Sequence, residues 1–493
     1  MTNTATFGLA VTAAAGAALL AVVSNRVTER LRVPAPALFL VAAATAGALV
    51  PRLHAPPHRL VEQLVTLALV VILFDGGLHI GAKRFRAAAR PIVLVGIPGT
   101  LATTAAAASL LHLAFGAPWY VAVLVGTAIA PTDPAVVFSV LGRREVVGNS
   151  GTVLEGESGA NDPVGIALMG SLIAAGGLGP GAFAQVAGDF ALQFAVGAVF
   201  GVLGARTLLV FMRRVPLPSE GLYPLRTLAC VLLLFGITSV AHGSGLLAVF
   251  IAGIGIGDER APYKNEVHRF HSALASLGEI VAFIVLGLTV DFNQVARSDV
   301  WVPGVVVGLT LALVIRPLFI SPFLLRSGLA RHERAFVLLA GLKGAVPILL
   351  GTLLLEADVA DAKRYYSIIV VVVAVSVVFQ AGAVPALARA LRVPMRTVEP
   401  EPWALGVRLR DDPGGVHRVS VGRRSIADGN SLADLPLGDD VWVSFAVRQG
   451  VLLPIRGDTQ LQAGDELLIL ADADLDTELR RVFDGSGLGP AAS

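Results

Sequence analysis

Between residues 154 and 163 the chain reads Leu-Glu-Gly-Glu-Ser-Gly-Ala-Asn-Asp-Pro, which sets the carboxylates Glu155, Glu157 and Asp162 among apolar neighbours. On a helix, residues four apart lie one above the other, so Glu157 stacks on Asn161 and Ser158 on Asp162. Those four side chains then share one polar face within two turns. They offer oxygen ligands and one amide, a donor set that suits a hard monovalent cation, whereas zinc or iron would want imidazole or thiolate. The competing reading is a structural polar patch at a helix end, with Asn161-Asp162-Pro163 as a cap.

Other ionisable residues also fall inside apolar runs: the acids Asp75, Asp133 and Glu279, and the bases Arg316 and Lys343. Each costs about 2.5–3.5 kcal/mol in a bilayer even on the lenient insertion scale, so each needs a reason. Acids outnumber bases, which suits a cation site and not an anion site. Asp133 lies in Ala130-Pro131-Thr132-Asp133-Pro134 and Lys343 in Gly341-Leu342-Lys343-Gly344-Ala345-Val346-Pro347. Proline and glycine break the backbone ladder there, and a matched pair of interrupted membrane segments points to a transport site at the midplane, built from inverted repeats. Thr132 is expected to lend an oxygen to the cation. Asp133 is expected either to complement an exposed half-helix N-terminus or to touch the ion. Lys343 is expected to balance a half-helix C-terminus or to pair with Glu157, and Arg316 to pair with Glu279 or another core acid. Asp75, near the cytoplasmic end of its helix, lines an access path or supports the core.

Weaker signals resolve to bland readings. Gly253-Ile254-Gly255-Ile256-Gly257 lacks the strand of a dinucleotide loop and reads as close packing of membrane helices. The single cysteine, Cys230, reads as a small buried hydrophobe and excludes a disulfide framework. Nine histidines show no ligand spacing, and His268 and His271 are expected in a solvated cytoplasmic loop.

The elements that must position these residues are membrane helices. Of 493 residues, 55% are hydrophobic and only 15% charged, and the net charge is +2. A spanning helix needs about 20 apolar residues, and that ruler finds thirteen candidates, roughly 5–25, 34–51, 60–80, 91–113, 118–141, 157–178, 184–212, 224–241, 244–257, 273–291, 301–324, 333–355 and 366–390. The first reads as a helix and not a cleaved signal, because no basic segment precedes it. Merging the eighth and ninth gives twelve as the alternative. With the N-terminus outside, loops on the cytoplasmic side hold twenty-one Lys and Arg residues, among them Lys83, Arg84, Arg86, Arg90 and Arg226, against five opposite, so the C-terminus falls in the cytoplasm and the odd number is favoured. Residues 394–403 read as a linker. Residues 404–485 read as a small α+β domain, with a strand at 441–447, a turn at Gly464-Asp465, a second strand at 467–470 and a helix at 475–483, before a frayed tail at 486–493.

With Phe74-Asp75-Gly76-Gly77-Leu78 and Gly243-Ser244-Gly245-Leu246-Leu247-Ala248, the motifs around Asp133, Asp162 and Lys343 occur in the order found in the monovalent cation:proton antiporter-1 family, NhaP-type and NHE-like, which residues 5–390 resemble. The resemblance implies a homodimer, each protomer having a dimerisation panel and a six-helix core with two crossed broken helices. It implies that Asp162 binds proton or cation in turn, that Ser158 and Thr132 are ligands, that Glu157 orders the core, and that Asn161 marks the electroneutral branch. The family usually has Arg where this chain has Lys343, and lysine keeps the charge but loses the bidentate fork. Residues 441–471, including Arg448-Gln449-Gly450 and Gly457-Asp458-Thr459, resemble a TrkA-C (RCK-C) regulatory domain, a combination similar to the potassium/proton branch. Such tails take small-molecule or nucleotide ligands. The expectation is thus a multi-pass cell-membrane antiporter that exchanges K⁺, in preference to Na⁺, for H⁺. It is not an enzyme, uses no cofactor and binds no nucleic acid. A gated cation channel would want a filter ring or an open polar pore, and a membrane enzyme a nucleophile–base pair or metal ligands; the sequence offers neither.

Overall fold

The computed structural model describes residues 34–50, 56–141, 144–146, 148–325, 327–357, 359–397, 415–423, 425–438, 440–448 and 451–484. The expected first helix at 5–25, the later part of the expected linker and the tail beyond 484 lie outside the described residues. The chain divides into two compact units, Met1–Pro402 and Trp403–Ser493.

In hydrocarbon every backbone N–H and C=O must be answered within the protein, and helices do this segment by segment. The first unit obeys. Its helices are α1 (Ala35–Leu49), α2 (His58–Leu94), α3 (Thr100–Phe115), α4 (Trp119–Ile129), α5 (Pro134–Leu141), α6 (Asn149–Ala175), α7 (Ala182–Arg214), α8 (Leu222–Val240), α9 (Gly245–Gly257), α10 (Lys264–Gly287), α11 (Ser298–Thr310), α12 (Arg316–Leu324), α13 (Arg331–Leu339), α14 (Ala345–Glu356), α15 (Ala362–Val375) and α16 (Ala381–Ala390). Among the described residues, seven helical stretches are long and apolar enough to cross a membrane. This is a membrane protein.

Both predicted interruptions are real: the fifth segment breaks between α4 and α5, and the twelfth between α13 and α14. The eighth and ninth segments are also distinct, parted at His242 and Gly243. Three further helices turn through a π-type bulge, at Val95–Gly99, Leu311–Ile315 and Ser376–Gln380. The expected loop carrying Lys83, Arg84, Arg86 and Arg90 is helical instead. The chain turns at Gly81 (φ 65°) and re-enters helix at once, with the Asp258 carboxylate accepting from Lys83 N at 2.5 Å. His268 and His271 likewise sit in α10 and not in a solvated loop; His271 is fully buried, its ring edge-on to Phe74. Arg226, read as a loop charge, is buried in α8, donates to Val215 O at 2.8 Å and lies over the Tyr223 ring.

The glycine run at 253–257 does serve helix packing. A Cβ on Gly77 of α2 would meet Phe250 O at 2.5 Å and Ile254 N at 2.9 Å, and one on Gly253 would collide with Phe74 O. The backbones of α2 and α9 therefore touch, which only small residues permit.

Strand β1 (Arg144–Val146) pairs antiparallel with β2 (Met395–Thr397), inside the stretch expected to be linker. The second unit carries an antiparallel sheet in the order β3 (Val416–Ser420), β6 (Glu466–Leu470), β4 (Trp442–Arg448), β5 (Val451–Leu453). Period-two alternation turns Leu467 and Ile469 inward, against Leu479, Val482 and Phe483 of α17 (Asp476–Phe483). Gly464 makes the predicted turn at φ 97°, and the buried Asp465 takes a two-pronged bond from Arg448 at 2.7 Å on both oxygens. Arg480, one turn along α17, and His417 hold the Asp476 carboxyl below its ordinary range.

Gly253→Leu should part α2 from α9. Overpacking of this kind costs about 1–3 kcal/mol, so the purified variant should lose its monodisperse elution several degrees below the parent protein, while Gly236→Leu, where a Cβ meets nothing within 4 Å, should not.

Candidate functional site: a carboxylate face between two broken helices

The four residues of the sequence cluster lie mid-way along α6, all buried, with Glu157 at 1% and Asp162 at 6% exposure. Pro163 does not end the helix, which continues to Ala175, so the reading of Asn161-Asp162-Pro163 as a helix cap is wrong. The missing N–H of Pro163 is tolerated because neighbouring segments answer the freed groups.

The breaks of both interrupted segments meet this face. Asp133 N donates to Leu342 O at 2.8 Å, tying one break to the other. Asp133 Oδ1 accepts from Ala135 N at 2.9 Å, and its carboxylate also meets Val136 N and Ala345 N. One acid thus sits at the N-termini of both α5 and α14, where unpaired N–H groups and the helix dipole favour negative charge. A Cβ on Gly344 would strike the Asp133 carboxylate, which is why that position lacks one.

The C-terminal ends receive positive charge. Lys343 Nζ donates to Ala130 O at 2.7 Å and Pro131 O at 3.0 Å, closing the end of α4. Arg316 Nε donates to Leu338 O at 2.9 Å, and Gln380 Nε2 to Leu339 O at 2.9 Å, closing the end of α13. The Arg316 fork also grips Glu157 in two parallel bonds, at 2.7 and 2.8 Å. Of the partners expected for Arg316, Glu279 or another core acid, it takes the other core acid, Glu157. Glu279 lies on α10, and its buried Oε1 has no hydrogen-bond partner among the described residues. Of the two roles expected of Lys343, the helix-end role is the one observed. The planar fork needed for a carboxylate comes from Arg316, while a lysine's three donors suit clustered carbonyls.

A short chain of bonds fixes the remaining polar atoms. The Glu157 carboxylate, paired with Arg316, only accepts, so Thr132 Oγ1 donates to it at 3.1 Å. Thr132 must then accept, and Asn161 Nδ2 donates to it at 2.8 Å. That turns Asn161 Oδ1 away, and it is left buried without a hydrogen-bond partner among the described residues. Asp162 Oδ2 receives Ser158 Oγ at 3.4 Å, while its Oδ1 is also buried and, among the described residues, unpartnered. Asp75 stands apart from this network: it accepts from Ser272 Oγ on α10 at 2.9 Å and faces His79 at 3.4 Å. Glu155 faces Arg84 at 3.6 Å, outside the shared face.

Sequence reading missed Ser376 and Gln380. Ser376 Oγ accepts from Lys343 N at 2.9 Å and donates to Gln380 Oε1 at 2.9 Å. Two polar residues four apart in a valine-rich run were the available signal.

Residues 15–390 match the family described as sodium/hydrogen exchanger, transmembrane, and residues 416–483 match the TrkA-C domain. The chain belongs to the sodium/hydrogen exchanger family. It is a cation/proton antiporter of the NhaP type. The K(+)/H(+) antiporter NhaP2 of Shewanella sp. (strain MR-4) is 30% identical over 474 residues, covering 92% of this chain and 80% of that protein. The K(+)/H(+) antiporter NhaP of Alkalimonas amylolytica is 31% identical over 379 residues, covering 76% of this chain and 65% of that protein. The structure of the sodium proton antiporter MjNhaP1 from Methanocaldococcus jannaschii at pH 8 superposes with a TM-score of 0.65 at 22% identity, over 78% of this exchanger and 99% of that chain, and so shares its fold.

Breaking one side of the buried Glu157–Arg316 pair should cost about 3–5 kcal/mol. Glu157→Gln alone is therefore expected to lower the thermal stability of the purified exchanger sharply, and Glu157→Leu combined with Arg316→Met to recover only part of it, because Leu338 O and Val337 O then lose the Arg316 donors, as read by the temperature at which half the protein aggregates.

Proposed function

We propose that this chain exchanges K⁺ for H⁺ across the cell membrane, one for one and without net charge transfer, with the two ions competing for Asp162. The observation that carries this reading is the unpartnered, buried Oδ1 of Asp162 beside the unpartnered Oδ1 of Asn161. Each other charge at the site already has a fixed protein partner: Glu157 has Arg316, Asp133 has two helix N-termini, and Lys343 has the end of α4. On the shared face of α6, Asp162 is the carboxylate left to take a partner that can be exchanged. Ser158 Oγ and the carbonyl side of Thr132 complete an oxygen set for a monovalent cation, and Asp133 supports it through the helix ends.

A single carboxylate holds one proton or one monovalent cation. Either loaded form is neutral at Asp162, whereas the empty form is a bare charge in a low-dielectric core and is penalised when the core moves. That penalty enforces exchange over leak. Asn161 keeps the stoichiometry at one, because its amide nitrogen is bound to Thr132 and its neutral oxygen adds dipole without charge. Preference for K⁺ over Na⁺ rests on the TrkA-C domain and on two curated relatives being named K(+)/H(+) antiporters. Na⁺/H⁺ exchange is the second reading, because the solved structure with the same fold is a sodium proton antiporter. The protein works as a homodimer, with the TrkA-C domain on the cytoplasmic side, where a small-molecule or nucleotide ligand regulates exchange.

In vesicles loaded with a pH-gradient dye, K⁺ should dequench at lower concentration than Na⁺, and clamping the membrane voltage with an ionophore should leave the rate unchanged. Asp162→Asn should abolish the response to both cations. Normal exchange by that variant would remove Asp162 from the mechanism, and rates that follow the clamped voltage would exclude electroneutral exchange.

A further inference from the structure

A cavity of about 210 Å³ opens between α2, α6, α7, α9 and α14, away from the Asp162 cluster. Its walls include Glu62 and Thr66 of α2, Gln193 of α7 and Ser244 at the head of α9, and its floor includes Ile166 of α6 and Leu350 of α14. Ile166 is one helical turn beyond Asp162, about 6 Å along the axis. Between cavity and site the chain is tight: a Cβ on Gly165 would meet Pro131 Cγ at 2.6 Å and Leu350 Cδ1 at 3.4 Å. The cavity therefore ends on an apolar floor one helical turn from Asp162 along α6.

Two observations say what such a cavity holds. Among the residues lining it, Glu62 is the sole charged side chain; Arg59, outside the lining, offsets part of its charge. The neighbouring Glu356, at the end of α14, presents a second carboxyl to Glu62. A concave, low-dielectric wall with charge of one sign focuses its field and raises the local concentration of the opposite ion. The volume is far above the roughly 10–15 Å³ that one water requires, so a monovalent cation fits with part of its hydration shell. Hydroxyls and an amide from Thr66, Ser239, Ser244 and Gln193 offer oxygens to that shell. The side is set by the sequence: Glu62 lies in the first turns of α2, next to the segment with Arg52 and Arg59 that the distribution of basic residues puts outside.

We propose that this cavity is an outer vestibule that collects monovalent cations, with Glu62 as the carboxylate that draws them in above the Gly165–Leu350 floor. It rests on the antiport reading above and adds where the external cation waits. Glu62 is a positioning residue here, since it does not touch Asp162.

The test is sidedness. In right-side-out vesicles at low ionic strength, Glu62→Gln should raise the half-saturating external K⁺ concentration about three-fold, an effect that N-methylglucamine chloride erases by screening. In everted vesicles, with K⁺ presented to the cytoplasmic face, the same variant should match the parent, and Glu62→Asp should restore most of the external affinity. An unchanged external half-saturation, or an equal change on both faces, would overturn the proposal. A second measurement does not depend on exchange. On a Cys230→Ser background, Thr66→Cys should react with a membrane-impermeant cationic thiol reagent added outside, and more slowly once Glu62 is Gln. Labelling only from the cytoplasmic face, or none from either, would also overturn it. If the parent protein moves no cation at all, the antiport reading fails while the labelling arm still reports on the vestibule.

Discussion

A helix that stops inside a bilayer leaves its last N–H or C=O groups with no water to answer them. This protein stops two helices there and brings their ends together, so the site must contain the groups that close those ends. Asp133 serves both N-termini, Lys343 serves one C-terminus, and Arg316 with Gln380 serves the other. The pattern follows the helix dipole, with acid at N-ends and base at C-ends. Three π-type bulges lie in the same region. The one at Leu311–Ile315 leads directly into Arg316, and the one at Ser376–Gln380 supplies the two side chains that brace the second break.

Closing the ends decides the chemistry by elimination. Once Arg316 is committed to Glu157 and to the carbonyls of α13, and Lys343 to the carbonyls of α4, Asp162 has no ion pair among the described residues. The bond chain from Glu157 through Thr132 to Asn161 then orients the Asn161 amide, so a neutral oxygen and not a second charge stands beside Asp162. The Asp162 carboxylate is left buried with Ser158 as its hydrogen-bond donor, and in the proposed exchange it is the group that takes the ion. In that proposal the rigid parts of the site are what make its unsatisfied oxygens useful.

Much of this was legible in the sequence. The polar face of Glu157, Ser158, Asn161 and Asp162 follows from the 3.6-residue period, and the two breaks follow from proline and glycine in apolar segments. The α+β tail followed from period-two alternation at β4 and β6. The failures share a cause. The pair Arg316–Glu157 spans 159 positions, and no local rule connects such residues. The helical state of residues 82–94 depended on a corner at Gly81 closed by Asp258, which is equally remote in sequence. His268, His271 and Arg226 were read as loop residues because polarity alone suggests water, yet packing against Phe74 and Tyr223 buries two of them.

What the sequence determined by itself is the inventory: that most of the chain is apolar helix, which segments must break, and which ionisable residues are costly enough to require a purpose. Those are local or compositional facts, set by residue type, period and the transfer energy of charge. Tertiary structure alone decided the pairing, namely which base answers which acid, which helix end takes Asp133, and therefore that Asp162 is the carboxylate left over. Pairing depends on distances between segments far apart in the chain, and in a low-dielectric core a few ångströms separate a fixed ion pair from a group free to carry an ion.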